Sequence, residues 1–197
     1  MDAKAELRHH LQAGRDALLW KLEGLSEYDV RRPLTPTGTN LLGLVKHVAS
    51  VQLGYLGEVF DRPSGRVAPW DLPGSAPDDD MWAAADETRD EVVELHRASA
   101  AHGDATVPAL PLDARGRVPW WPPERREVTL AQVLVHLCVE TARHAGHADV
   151  LRELLDGAVG NGPDDANVPQ RTAQEWAAYR ERIEQAARTA ARRAERG

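Results

Sequence analysis

Apolar residues recur at helical spacing along one uninterrupted stretch, residues 129–155. This stretch has no proline and one glycine, Gly146, and Thr129 can cap its first turn. The recurring positions are Leu130, Val133, Leu134, Leu137, Thr141, Ala145, Ala148, Leu151 and Leu155. The pattern predicts an amphipathic helix that turns one face toward a core.

Four other segments are read as helices, at 3–25, 41–60, from Asp79 or Asp80 to 101, and at 172–195. Long proline- and glycine-rich connections occupy 61–80 and 102–127, and proline spacing in the second argues against a full strand or a hairpin. The sequence therefore predicts an all-α fold. We expect an antiparallel four-helix bundle with long inter-helix loops and an additional C-terminal helix whose end frays.

Composition predicts a single helical domain over residues 1–197, in the cytoplasm. The chain is 42% hydrophobic and 28% charged, with a net charge of -7, so no basic surface favours nucleic acid or an anionic membrane. No apolar run approaches the roughly 20 residues of a membrane span, and the charged N-terminus lacks the apolar core of a signal peptide. One cysteine, Cys138, permits no intrachain disulfide, which fits a reducing compartment.

The helix predicted at 129–155 also carries four residues that can do chemistry. His136, Glu140, His144 and His147 project within an arc of about 80°, at the edge of the apolar stripe. Such groups are either hydrogen-bonded polar residues of the core or the parts of a site. A single histidine such as His136 is ordinarily the former.

Glu140 and His144 stand at i and i+4, so their side chains can bind one ion from one helix face. His47, on the flank of the stripe of the 41–60 helix, can add a third ligand. A His/Glu/His set with open positions is typical of catalytic zinc, although nickel, iron or manganese can use it. Spacing alone does not establish that these two helices face each other.

Two segments, TNLLGLVKHVASVQLGYLGEVF and TLAQVLVHLCVETARHAGHADVLRELLDG, resemble the DinB-like metal-binding four-helix bundle family. This superfamily includes mycothiol-dependent maleylpyruvate isomerase and thiol S-transferases, and the resemblance covers about residues 1–185. It implies a divalent metal held by His47, Glu140 and His144. Many relatives have histidine where Glu140 stands, whereas the isomerase has glutamate, which favours the thiol-using branch. His147 takes a position from which the resemblance implies a catalytic contact to metal-bound water or to substrate.

The resemblance implies a metal-dependent S-transferase or isomerase in which the metal activates a low-molecular-weight thiol. Zinc is the first choice of metal and mycothiol the implied co-substrate. The expected partners are this thiol, an electrophilic substrate and a second copy of the chain in a homodimer, with no nucleic acid and no membrane. Two alternatives stay open: a metal-dependent hydrolase with a carboxylate or His147 as base, and a non-catalytic metal-binding stress-response protein.

The two proline-rich loops can supply the walls of a substrate cleft. The pair Trp120-Trp121 is either a loop anchor or a ligand platform. Four arginines of the same loop could approach an anionic ligand, although solvated loop charge is the simpler interpretation: Arg115, Arg117, Arg125 and Arg126.

Overall fold

The computed structural model describes residues 2–196 and is mostly helical. The chain divides between Ala166 and Asn167 into two compact units. The first contains α1 (Ala3–Trp20), α2 (Glu27–Arg31), α3 (Leu41–Leu56), α4 (Arg89–Ala109), β1 (Arg115–Arg117), β2 (Glu127–Thr129) and α5 (Leu130–Asp156). The second contains α6 (Ala173–Ala194). The predicted all-α helical bundle is confirmed.

Local sequence signals set the ends of the helices that carry the site. The Asn40 side chain accepts a hydrogen bond from the Gly43 amide at the start of α3. A reciprocal capping box begins α5, where the Thr129 side chain accepts from the Gln132 amide. Gly157, with φ +80°, ends α5 and donates its amide to the Glu153 carbonyl. The caps therefore fix where both site helices begin.

The four long helices α1, α3, α4 and α5 pack into the bundle, and their contacts define their directions. The Ser99 hydroxyl of α4 donates to the Ala49 carbonyl of α3 at 2.8 Å. Further along both helices Gly103 lies against Leu56, so α3 and α4 run parallel, whereas the sequence predicted antiparallel helices throughout the bundle. The connection 57–88 returns the chain to the end at which α3 begins. Against α5 the direction is opposite, because His47 of α3 contacts His144 whereas Tyr55, nearer the end of α3, contacts His136, nearer the start of α5.

The stripe predicted on residues 129–155 forms much of the core. Its buried members are Leu130, Val133, Leu134, Leu137, Thr141, Ala148 and Leu151. Two clusters of buried apolar residues fill the bundle, one around Leu56 and Leu134 and the other around Leu44 and Val48. No helix within residues 2–196 is long and apolar enough to cross a membrane. Burial of this stripe places α5 centrally in the first unit.

Several predicted boundaries were wrong. The third long helix begins at Arg89, not at residue 79 or 80, because the capping box of Thr88 and Glu91 starts it, and it continues through Pro108. The first helix ends at Trp20 and the second at Leu56, ahead of Gly57. The loop 102–127 was predicted without a hairpin, yet β1 and β2 pair antiparallel there.

His96, buried in α4, predicts a pH-dependent stability. Burial, together with the charges of Arg15 and Arg97, lowers its pKa from 6.5 to about 4. The unfolded chain therefore binds a proton that the folded chain refuses, so stability is full above about pH 6.5 and falls as the pH drops toward 4. We expect this side chain to cost about 2 kcal/mol of unfolding free energy between about pH 7.5 and about pH 5.

The measurement is denaturant unfolding at both pH values for the wild type and for His96→Gln, which does not titrate. The variant should lose less stability on acidification, by that amount. Equal pH dependence in the two proteins would contradict the assignment to His96. His9→Gln is the matched control, because His9 is exposed and its replacement should leave the pH dependence unchanged.

Candidate metal centre

Three side chains from two helices meet between α3 and α5. His47 of α3 and Glu140 and His144 of α5 each present one donor atom, and these atoms all lie within 4.8 Å of one another. Glu140 Oε1 lies 3.3 Å from His47 Nε2 and 2.9 Å from His144 Nε2. The carboxylate thus bridges two imidazoles. The sequence alone did not establish that α3 and α5 face each other, and in the structure they do so at this cluster.

The three donors fit a divalent metal ion. Ligand bonds of about 2.1 Å in a tetrahedral arrangement place donor atoms roughly 3.4 Å apart, close to the separations seen here. Two imidazole nitrogens and one carboxylate oxygen form a set that suits zinc, nickel, iron or manganese. The other ring nitrogen of His144, Nδ1, is buried and has no hydrogen-bond partner among residues 2–196. The nitrogen that faces the cluster is Nε2, which lies 2.9 Å from Glu140 Oε1.

Asp80 supports the cluster from outside it. Its carboxylate oxygen Oδ2 lies 2.6 Å from His47 Nδ1, and its side chain is almost fully buried. A carboxylate that accepts from one ring nitrogen fixes the orientation of the imidazole and leaves the other nitrogen free to bind an ion. Asp80 is therefore placed to orient His47, as carboxylates hydrogen-bonded to metal-binding histidines ordinarily do.

The loop that carries Asp80 is held firmly on α3. The Lys46 ammonium donates to the carbonyls of Asp79 and Trp82 and to the Glu87 carboxylate, at 2.8–3.0 Å. Gly43 permits a close approach, because a Cβ there would stand 1.8 Å from the Met81 carbonyl oxygen. The Asp80 carboxylate is therefore positioned by backbone contacts on both sides of it.

Burial and mutual charges shift the pKa values of the three side chains. Burial opposes charging of His47, but the hydrogen bonds and charges of Asp80 and Glu140 outweigh it and raise its pKa. Burial likewise opposes ionisation of Glu140, yet its hydrogen bonds with His144 and His47 keep its pKa below the ordinary value. Burial and the neighbouring charge of His47 lower the pKa of His144. The cluster therefore offers an ionised carboxylate and a readily deprotonated imidazole.

A cavity of about 700 Å³ opens beside the cluster. Its lining comes from α3, α5 and both long loops: His47, Val51, Gly54, Tyr55, Glu58, Trp70, Asp71, Asp80, Pro119, Trp120, His136 and Glu140. This volume accommodates a small-molecule ligand. Two of the three cluster residues, His47 and Glu140, therefore face space that a substrate can enter.

Comparison with known families decides the relationship. The family described as mycothiol-S-transferase matches residues 6–157, which span α1 through α5 and the whole cluster. The chain belongs to this family. The resemblance to DinB-like proteins seen in the sequence is thereby confirmed. A comparison with curated individual proteins finds no match.

The remaining predicted residues of this mycothiol S-transferase family member lie at different distances from the cavity. His147 is exposed, with its ring centroid 5.5 Å from that of His144, and it is not among the cavity residues, so its catalytic role stays a prediction. His136 does line the cavity, and its ring packs on Tyr55 at 4.7 Å and on Trp121 at 5.2 Å. His136 and Tyr55 thus form a continuous aromatic part of the cavity wall.

Sequence reasoning did not single out Asp80, Tyr55, Glu58, Trp70 or Asp71 as cavity residues. Asp80 was visible only as part of an acidic run, which was interpreted as the start of a helix. Tyr55 was visible as a member of the α3 stripe, although its hydroxyl accepts hydrogen bonds from the indoles of Trp120 and Trp121. These hydrogen bonds anchor the tryptophan pair on α3, and Trp120 also lines the cavity, whereas a role as ligand platform stays a prediction.

Proposed function

We propose that this protein is a metal-dependent S-transferase that joins a low-molecular-weight thiol of the mycothiol type to an electrophilic carbon. His47, Glu140 and His144 would hold the metal. The observation that supports this most directly is the His/Glu/His cluster in the wall of a cavity, in a chain of the mycothiol S-transferase family. A thiol and an electrophile are the expected partners.

A divalent metal at the cluster would favour the thiolate form of a bound thiol at neutral pH. The protein's own residues do the rest. Asp80 orients His47, and Glu140 keeps its negative charge beside both imidazoles. The Tyr55 hydroxyl accepts hydrogen bonds from both indoles of the loop and so holds Trp120 in the cavity wall.

The cavity wall supplies no sulfur nucleophile of its own. Its residues include no cysteine, serine, threonine or lysine. Cys138 points elsewhere, toward the Leu7 carbonyl at 3.4 Å, and burial raises the pKa of its thiol. The reacting sulfur must therefore come from a co-substrate. In the transfer, the thiol loses its proton to solvent, a carbon–sulfur bond forms, and the leaving group departs with its electron pair.

The test incubates the metal-loaded protein with mycothiol and an uncharged alkylating agent, para-bromomethylbenzamide. We expect formation of the thioether at least about 100-fold faster than without protein, because both reactants are held together. Product is measured by mass spectrometry. The metal-free protein and the His144→Ala variant are the controls, and both should give only the background rate.

The alternatives predict other results with the same preparation. Thiol-independent cleavage of para-nitrophenyl acetate, without thioether formation, would mean a hydrolase. Absence of turnover with either reagent, despite full metal content, would contradict the enzymatic proposal and favour a binding protein. Replacing mycothiol by glutathione or cysteine shows which thiol the cavity accepts.

A further inference from the structure

The outer part of the cavity carries unmatched negative charge. Glu58 lies in the 3₁₀ turn Glu58–Phe60 that follows α3, and Asp71 lies in the 3₁₀ turn Pro69–Asp71 of the long loop. Both carboxylates line the cavity and both residues are exposed. Within residues 2–196 neither forms a salt bridge, whereas the inner carboxylates of Asp80 and Glu140 are paired with His47. The negative charges of Glu58 and Asp71 therefore remain available to attract or repel a ligand that enters the cavity.

No lysine or arginine lines the cavity, and the nearby cations are engaged elsewhere. The Lys46 ammonium is bound to the loop at Asp79, Trp82 and Glu87. The Arg62 guanidinium donates to the Thr106 hydroxyl. Arg125 stacks on the Trp121 ring at 5.4 Å and lies outside the cavity lining, although burial, together with the charge of Arg125, lowers the pKa of the lining residue His136. The sequence-based possibility that loop arginines approach an anionic ligand in this cavity therefore receives no support from the lining.

The same part of the cavity has aromatic walls. Trp70 and Trp120 come from the two long loops and Tyr55 from α3. The indole N–H of Trp120 is used by the Tyr55 hydroxyl, at 3.2 Å. Indole faces attract flat apolar groups, and beside carboxylates they attract organic cations. In this outer part, Glu58, Asp71, Trp70 and Trp120 offer an organic anion no cationic partner.

We infer that the electrophilic co-substrate is a flat aromatic molecule that carries no negative charge, and that a positive charge improves its binding. The role of this molecule as a co-substrate rests on the proposed function. The charge preference of the cavity does not, because it follows from the lining residues alone. It separates two activities that the family resemblance left together. S-transfer to a neutral or cationic electrophile fits these walls, whereas isomerisation of a carboxylate substrate does not.

The first experiment measures binding without any reaction. Three unreactive planar probes of similar size carry a positive, a zero and a negative charge: para-methylbenzamidinium, para-methylbenzamide and para-methylbenzoate. Dissociation constants come from ligand-observed NMR titration of the protein as purified. We expect the cation to bind at least about fivefold more tightly than the anion, with the amide between them, and we expect salt at about 0.5 M to reduce the difference.

A matched pair of double variants assigns the preference to residues. Glu58→Gln with Asp71→Asn should lower the cation-to-anion ratio below the wild-type value, and the aromatic faces that remain keep only part of the preference. The control, Asp113→Asn with Glu153→Gln, changes the net charge equally but alters exposed residues that do not line the cavity. It should keep the wild-type ratio. Equal binding of the three probes to the wild type, or an unchanged ratio in the first double variant, would overturn the inference.

The second experiment uses the corresponding para-bromomethyl reagents with mycothiol. Their charged groups are remote from the reacting carbon, so rates are compared after division by the uncatalysed rate of each reagent. We expect the same order as for binding. Turnover that favours the carboxylate would overturn the inference and leave S-transfer intact. The predicted binding order without turnover would contradict the proposed function and support the charge preference.

Discussion

Replacement of His144 by alanine is expected to abolish stoichiometric binding of a divalent metal. One of three protein donors is then missing, and Glu140 loses the imidazole 2.9 Å away that positions it. We expect affinity to fall by more than the roughly 100-fold loss that follows removal of an outer partner of a ligand. His47→Ala should have the same effect. The measurement is metal content after dialysis against a metal-buffered solution, together with a titration by calorimetry.

Controls separate the cluster from other histidines of the chain. His9→Ala and His10→Ala remove exposed side chains of α1 that do not belong to the cluster, so both variants should bind metal as the wild type does. Glu140→Ala should weaken binding strongly, because its carboxylate joins both imidazoles. His147→Ala should retain the metal. Full metal occupancy in His144→Ala would show that the assigned ligands are wrong.

The parts of the site that could be predicted are those that periodicity determines. Glu140 and His144 share a face of α5 because they are four residues apart, and that relation survives any packing of the helix. The buried stripe of α5 was predictable for the same reason. His47 could likewise be placed at the flank of the apolar stripe on α3. Its contact with Glu140 then follows once the faces of α3 and α5 pack together.

The parts that could not be predicted depend on loops. The acidic residues 78–80 were interpreted as a helix start because carboxylates stabilise the first turn. The capping box of Thr88 and Glu91 offers a better start, with both reciprocal hydrogen bonds formed. Residues before it are then free to fold back on α3. That return, and not any periodicity, brings Asp80 to His47.

The cavity wall was hidden for a related reason. Tyr55, Trp70, Trp120 and His136 are separated along the chain, and only the packing of two loops on the bundle brings them together. The short sheet of β1 and β2 helps to hold the second loop, with three pairs of residues in register from Arg115↔Thr129 to Arg117↔Glu127. The prolines of the surrounding loop argued against strands here. The two strands escape that argument because each contains only three residues and no proline.

Asp80 therefore provides the sharpest test of the site as the structure draws it. Asp80→Ala removes the carboxylate 2.6 Å from His47 Nδ1 and frees the imidazole to rotate. We expect metal affinity to fall about 10- to 100-fold, while His47, Glu140 and His144 are all still present. Asp80→Asn, which keeps an oxygen acceptor, should lose less. Affinity is measured by competition with a chromophoric chelator, and the melting temperature is followed in parallel.

The neighbouring change Asp78→Asn is the matched control, because Asp78 is exposed and has no side-chain hydrogen bond within residues 2–196. Its affinity should equal that of the wild type. Gly43→Ala reaches the same loop from the other side: the added Cβ would collide with the Met81 carbonyl, so the loop must shift and Asp80 with it. A weaker site in Gly43→Ala and Asp80→Ala, with Asp78→Asn unaffected, would mean that the loop positions a ligand it does not itself contain. Wild-type affinity in Asp80→Ala would instead show that packing of α3 against α5 alone orients His47.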